Sequence, residues 1–245
     1  MYTSLVSQYS KTNPLMIIKS VASLSRLWVQ LAANDFKIKN HEIFRKVLRD
    51  RPGSLLTVSN HISTVDDPLI WGGLLEGREI ERLIAEGQMR WAVGARELTF
   101  TNPFTSWFFG RGQVIPIVRG DGIYQPAMSE AIEILNTDRW LHYFPEGKVI
   151  QYKYEVGRLK WGIGRLLMES KKDVIVLPIF LKGFDLMKPN DLMPRFNHNL
   201  EIIIGDPVNS SDILKATEHV RDENERRVMI TKYVQDLLNE TKTMK

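Results

Sequence analysis

The sequence predicts an α/β fold: a single domain with a largely parallel mixed sheet flanked by helices, plus an N-terminal interfacial helix. Three observations lead there. Apolar runs rich in Val and Ile alternate with amphipathic stretches along the chain. Several runs are short and continuous, the pattern of strands covered on both faces. The chain has 245 residues, 43% hydrophobic and 25% charged, which suits one domain with a full core.

The elements follow in order. Residues 1–14 hold several serines, one lysine and no acid, and no long apolar run follows a basic start. A secretory signal is not expected there, and as a mitochondrial presequence the segment is weak. Residues 15–33 are apolar but carry Lys19 and Arg26 near the middle. A membrane span needs about 20 mostly apolar residues, and two central cations oppose one. At helical spacing Leu15, Ile18, Ala22, Leu27 and Leu31 form one face, with Lys19, Ser23, Arg26 and Gln30 on a more polar side. Two readings stand: an interfacial helix with Trp28 at headgroup depth, or an amphipathic helix packed on the core.

Strands are predicted over residues 54–59, 113–118, 139–144, 174–181 and 200–205. Helices are predicted over 68–75, with Asp67 as N-cap and Pro68 at the first helical position, and over 125–136, 157–170 and 218–239. In such sheets sites form at the carboxyl ends of strands.

Composition narrows the chemistry. With no cysteine, disulfides, zinc-thiolate sites and a cysteine nucleophile are excluded. The net charge of +4 favours anionic partners weakly, but no run of five like charges occurs, so nucleic acid is not an expected partner. Neither a metal-ligand cluster nor a G-x-S-x-G elbow is present, so no metal or other cofactor is expected and α/β-hydrolase chemistry is disfavoured.

Four strand ends carry the candidates. The 54–59 strand runs into Asn60 and His61, and Asp66 stands five residues beyond His61, before a helix. On one regular helix that spacing would separate the two side chains by about 140°. A strand-to-helix turn lets them meet, and an aspartate on one imidazole nitrogen leaves the other free as a general base. The same spacing also fits a turn histidine beside a helix cap. A second strand ends at Phe144-Pro145-Glu146-Gly147, where glycine allows close backbone approach and Glu146 can hold a hydroxyl or an arginine; a plain loop fits as well. A third ends at Arg119 and a Gly120-Asp121-Gly122 turn, a place for a phosphate clamp or a simple surface cation. The fourth, over 174–181, contains Pro178 and little direct chemistry.

Taken in this order, the segments resemble the glycerolipid acyltransferase family from about residue 54 to 183. Finer details resemble its tafazzin branch: Asp66-Asp67-Pro68-Leu69-Ile70-Trp71-Gly72, Met89-Arg90-Trp91, Arg119-Gly120-Asp121-Gly122-Ile123-Tyr124-Gln125, and His142-Tyr143 ahead of Phe144. Lys160-Trp161-Gly162-Ile163-Gly164-Arg165-Leu166, Pro194-Arg195-Phe196 and Ile203-Ile204-Gly205-Asp206-Pro207 extend the likeness. Acyl-CoA-using relatives typically follow F-P-E-G with Thr-Arg, whereas Lys148-Val149 follows here.

The resemblance implies a CoA-independent phospholipid–lysophospholipid transacylase that remodels cardiolipin acyl chains. It would sit monotopically on mitochondrial membranes facing the intermembrane space. It implies His61 and Asp66 as the catalytic dyad, with Arg119, Glu146 and Gly147 binding substrate. The expected partners are phospholipid, lysophospholipid and the membrane surface; the oligomeric state is left open. The domain division is residues 1–33 as membrane-interface helix and 34–245 as acyltransferase domain. The competing readings are an acyl-CoA-dependent lysophospholipid or glycerol-phosphate acyltransferase, and a non-catalytic lipid-binding protein on the same scaffold. The segment 103–109, rich in aromatics, either joins the attachment face or packs in the core.

Overall fold

A computed structural model describes residues 14–151, 155–187 and 195–244. Residues 1–13 and Pro194, read above, lie outside the described residues. In chain order the elements are α1 (Leu15–Ala32), β1 (Ala33–Lys39), α2 (His41–Asp50), β2 (Ser54–Ser59), α3 (Asp66–Leu74) and α4 (Gly77–Ala85). Then come β3 (Trp91–Ala95), α5 (Arg96–Thr99), α6 (Pro103–Arg111), β4 (Val114–Ile117), α7 (Pro126–Asn136), β5 (Trp140–Tyr143) and α8 (Gly162–Glu169). The remainder is β6 (Val174–Lys182), α9 (Phe184–Met187), β7 (His198–Ile204), β8 (Val208–Asn209), α10 (Ser210–Ala216) and α11 (Glu223–Thr243).

The strands form one mixed sheet in the order β1-β7-β6-β2-β5-β3-β4, with β8 also pairing β6. β6, β2, β5, β3 and β4 run parallel. β7 and β8 pair antiparallel to β6, and β1 lies parallel to β7. This is the predicted α/β architecture.

Two apolar layers cover the sheet, and the period of two in the strands sorts their residues between them. Leu55, Trp140, Leu177, Ile179 and Ile202 join the core beneath α1 to α4. Leu56, Leu141, Val176, Phe180 and Ile203 join the core beneath α7, α8, α10 and α11. All six residues of β2 are buried, because the strand is central and covered on both faces.

Three strands have no counterpart in the sequence-based expectation: β1, β3 and the two-residue β8. β1 is an edge strand whose polar side chains find partners: Lys37 with Asp35 at 2.8 Å and Lys39 with Glu201 at 2.7 Å. β3 is five residues long and contains Gly94, against whose α-carbon Val114 packs. Three helices start elsewhere than expected, among them α11, which begins at Glu223 with Asp222 as its N-cap rather than at 218. α3 begins at Asp66, its N-cap is Val65, and Asp67 caps nothing; its carboxylate accepts from Trp71 Nε1 at 2.8 Å and pairs with Arg90. α8 begins at Gly162 because residues 157–161 fold back on the β5 loop, with Lys160 N–H donating to Pro145 O at 2.7 Å.

The faces of α1 also differ from the expected ones. Ile18, Ala22, Ser25, Val29 and Ala32 are buried, while Met16, Leu24, Leu27 and Leu31 are exposed. Both cations of the helix are satisfied by the protein itself. Lys19 pairs with Glu81, and Arg26 donates to Gly72 O at 3.0 Å and to Leu75 O at the carboxyl end of α3, where a cation is favoured. By length and composition α1 is the one helix among the described residues apolar enough to cross a membrane, and 28% of it is buried in the domain.

The α1–α3 crossing is close because of Gly72, where a β-carbon would stand 2.8 Å from Ala22 O and from Ser25 Cβ. Gly72→Ala should therefore lower unfolding free energy by about 1–3 kcal/mol, the usual cost of overpacking, in a urea titration. An unchanged midpoint would contradict this packing of α1.

Candidate active site

The site forms where β2 leaves the sheet. The last β2–β6 register pair is Ser59 with Ile179. Asn60 continues the contact by its side chain: its amide nitrogen donates to Leu181 O at 3.0 Å and its amide oxygen accepts from Leu181 N–H at 2.8 Å. The main chain is thus free to turn away while the ladder loses no partner.

The turn closes on Asp66. One carboxylate oxygen, Oδ2, accepts from Ile62 N–H at 2.7 Å, from Ser63 N–H at 2.8 Å and from His61 Nδ1 at 3.0 Å. Residues five apart meet because the intervening backbone wraps around this one oxygen. Asp66 is fully buried, whereas the His61 side chain is 19% exposed, so the imidazole is the solvent-facing member. Burial pushes the Asp66 carboxyl up from its ordinary range, and the bonds from His61, Ser63 and Ile62 pull against it.

The β5 loop supports His61 from the other side. Phe144 stacks on the imidazole with ring centroids 4.1 Å apart and planes at 23°. Phe144 rests edge-on against His142 at 4.5 Å, and His142 against Trp71 at 4.9 Å. Thr57 Oγ1 lies 2.9 Å from His142 Nδ1 and accepts from Trp140 Nε1 at 2.9 Å. Burial drives the His142 pKa well below the ordinary range, so this second imidazole is a neutral part of the frame.

Glu146 closes the backbone. Its Oε1 accepts from His61 N–H at 3.3 Å, and Ile150 N–H donates to His61 O at 2.7 Å. Both peptide groups of His61 are therefore tied to the loop after β5. Gly147 takes φ of +68°, a conformation that excludes most side chains. Gly157 is fixed by contact, since a β-carbon there would stand 2.8 Å from Glu146 Oε2.

His61, Asp66, Glu146 and Gly147 come together at neighbouring strand ends. Arg119 does not join them. It follows β4, three strands across from β2, an offset of about 14 Å at the usual interstrand spacing. Its Nε lies 3.3 Å from Glu97 Oε1. The arginine considered as a partner for Glu146 is absent among the described residues, and the His61 backbone takes that place. Asn60, Phe144 and the pair of buried Arg90 with half-buried Asp67 are contributors that spacing alone did not single out. Their one signal was adjacency to the motifs. A cleft of about 220 Å³ lined by Arg26, His41 and Arg45 lies along α1, away from the dyad.

Burial raises the Glu146 carboxyl to about 7 from 4.5, with the His61 N–H and charge opposing. The folded protein thus holds a proton that the unfolded chain releases near 4.5. The contribution of Glu146 to stability therefore falls as pH rises from about 4.5 to about 7 and levels off above. Glu146→Gln, which keeps an acceptor for His61 N–H, should match the parent at pH 4. At pH 8 it should exceed the parent by up to about 3 kcal/mol. Equal pH dependence in both proteins would contradict a buried, proton-holding Glu146.

Residues 35–182 match the family described as Acyltransferase. The N-acylphosphatidylethanolamine synthase of Arabidopsis thaliana is 37% identical over 201 residues, 78% of this chain and 69% of that protein. The tafazzin of Drosophila melanogaster is 36% identical over 225 residues, covering 90% of this chain and 58% of that protein. The chain therefore spans little more than half of that relative's length. The crystal structure of the 1-acyl-sn-glycerophosphate acyltransferase of Thermotoga maritima superposes with a TM-score of 0.62 at 18% identity, over 94% of this chain and 80% of that one. That likeness concerns the fold, and it agrees with the sheet described above. The chain belongs to the acyltransferase family.

Proposed function

We propose that this chain is a phospholipid–lysophospholipid transacylase that works without CoA, with His61 as general base and Asp66 as its orienting partner. The observation that carries the reading is the 3.0 Å contact between His61 Nδ1 and a buried Asp66 in a member of the acyltransferase family. Asp66 Oδ2 already accepts two backbone N–H groups, so it receives the Nδ1 proton and leaves Nε2 to act.

The reaction then runs in two halves. His61 Nε2 takes the proton from the free hydroxyl of a lysophospholipid as that oxygen attacks the ester carbonyl of a donor phospholipid. The tetrahedral intermediate collapses, the donor's acyl C–O bond breaks, and His61 returns the proton to the departing glycerol oxygen. One base serves both directions, which suits exchange between esters of similar energy. Glu146 and Gly147 orient the glycerol and phosphate region. Arg119, across the sheet, meets the headgroup at its outer end. Lys148-Val149 after F-P-E-G favours a phospholipid donor over acyl-CoA.

By likeness to the tafazzins, the acceptor and donor pool includes cardiolipin and the site of action is a mitochondrial membrane facing the intermembrane space. The outer side of α1 and the exposed Phe104 and Trp107 of α6 form a monotopic attachment face, and residues 34–245 form the catalytic domain. The Arabidopsis relative, named for N-acylphosphatidylethanolamine synthesis, supports a second reading in which the nucleophile is an amine.

The decisive assay mixes cardiolipin with labelled lysophosphatidylcholine and, separately, with phosphatidylethanolamine, with no CoA present. Label should appear in diacyl product. Product only when acyl-CoA is added would overturn the CoA-independent reading, and amide product alone would favour the second one. His61→Ala should lower transfer by roughly 10²–10⁴-fold while far-UV circular dichroism shows the fold retained. Parent-level activity in that variant would remove His61 from the chemistry.

A further inference from the structure

One face of the His61 ring rests on another ring. Phe144 stacks on the imidazole with centroids 4.1 Å apart and planes at 23°. Both partners are tied to the same loop. The His61 N–H donates to Glu146 Oε1 at 3.3 Å, and its carbonyl accepts from Ile150 N–H at 2.7 Å. Phe144 O accepts from Gly147 N–H at 3.2 Å, and Pro145 O from Lys160 N–H at 2.7 Å. The loop after β5 therefore fixes both backbones and sets the spacing between the rings.

Holding an imidazole in place does not require an aromatic neighbour. A leucine or a methionine would fill a similar space, and Asp66 already fixes the direction of Nδ1 at 3.0 Å. The two kinds of neighbour differ once the imidazole takes a second proton. The His61 side chain is 19% exposed, so an aliphatic wall would strip water from the imidazolium and give no attraction back. A phenyl face carries the negative part of the ring quadrupole and attracts a cation within about 6 Å of its centroid. Neutral imidazole gains little from that field. The attraction grows as the proton arrives, and an interaction that strengthens along the reaction lowers the barrier.

The charged and titratable groups around the stack leave this part to Phe144. Asp66 meets the imidazole at its edge, through Nδ1. Glu146 is turned to the His61 backbone, and burial raises its carboxyl to about 7, so below that pH it holds its proton. On another side of Phe144, His142 meets the ring at 88° with centroids 4.5 Å apart. Burial first, then the charges on Arg90 and His61, keep His142 neutral. Arg90 lies over Trp71, at 5.9 Å, rather than over Phe144. The phenyl face is thus available to one cation, the His61 imidazolium.

We propose that Phe144 is a positioning residue for acyl transfer, whose ring face supports the positive charge that His61 acquires when it takes the hydroxyl proton. This deepens the transacylase reading and rests on its assignment of His61 as the base, but not on the identity of the acyl donor. The test places 4-fluoro-, 3,5-difluoro- and 3,4,5-trifluorophenylalanine at position 144 alone, by amber suppression in the full chain. Fluorine withdraws density from the ring face and nearly keeps the ring's shape. Rates are read with labelled lysophosphatidylcholine and with cardiolipin or acyl-CoA as donor, whichever supports turnover. With each added fluorine kcat should fall, reaching about tenfold for the trifluoro ring, while KM stays within about twofold of the parent. Phe144→Leu should lose at least as much in kcat while far-UV circular dichroism shows the fold retained. Equal kcat across the fluorinated series would make Phe144 a spacer and overturn the proposal. A rise in KM at constant kcat would place the ring against substrate and overturn it as well. A fluorine-dependent kcat found only with acyl-CoA keeps the role of Phe144 and removes the CoA-independent reading. Parent-level activity in His61→Ala would overturn both.

Discussion

One buried carboxylate oxygen organises the site. Asp66 Oδ2 gathers two backbone N–H groups and the His61 ring within 3.0 Å. Burying a carboxylate is costly unless its lone pairs are used; here the turn from β2 into α3 uses those of Oδ2, while Oδ1 has no hydrogen-bond partner among the described residues and burial still raises the carboxyl's pKa. The same three bonds that compensate the charge also fix the direction of the imidazole. Fold and site are thus joined at one atom. The backbone cannot relax away from Asp66 without exposing two N–H donors, and His61 cannot rotate without losing its partner.

The rest of the domain keeps that oxygen where it is. Asn60 replaces a lost ladder contact on β6, so the turn begins without an unpaired group. Asp67 ties the first turn of α3 to Arg90, and Arg90 in turn donates to Gly112 O at 3.0 Å, which links α3 to the approach of β4. Phe144, His142, Trp71 and Trp140 form a chain of ring contacts from the solvent-facing imidazole into the core. A neutral His142 suits this role, since a second positive ring beneath Phe144 would oppose protonation of His61. Much of the packing around α3 therefore serves geometry at the site.

Much of this was legible in the sequence, for reasons that differ by element. β2 and β6 read as continuous apolar runs because both are central and covered on both faces. β1 did not, because an edge strand carries alternating charged residues whose partners, such as Glu201, are distant in sequence. α1 misled at the level of its faces. It is apolar on two sides, and its cations bond to α3 and Glu81 rather than marking the solvent side. The meeting of His61 and Asp66 followed from their place at a strand end. The separation of Arg119 did not, because motif order along the chain says nothing about lateral strand order. β3, short and holding Gly94, inserts between β5 and β4 and moves Arg119 outward.

In the proposed dyad Asp66 holds the His61 proton on Nδ1 and leaves Nε2 bare. Side-chain ¹⁵N NMR of the neutral protein, with His61 assigned by substitution, reads this directly. A protonated Nδ1 and an unprotonated Nε2 are expected for His61. A proton found on Nε2, with Nδ1 bare, would contradict it.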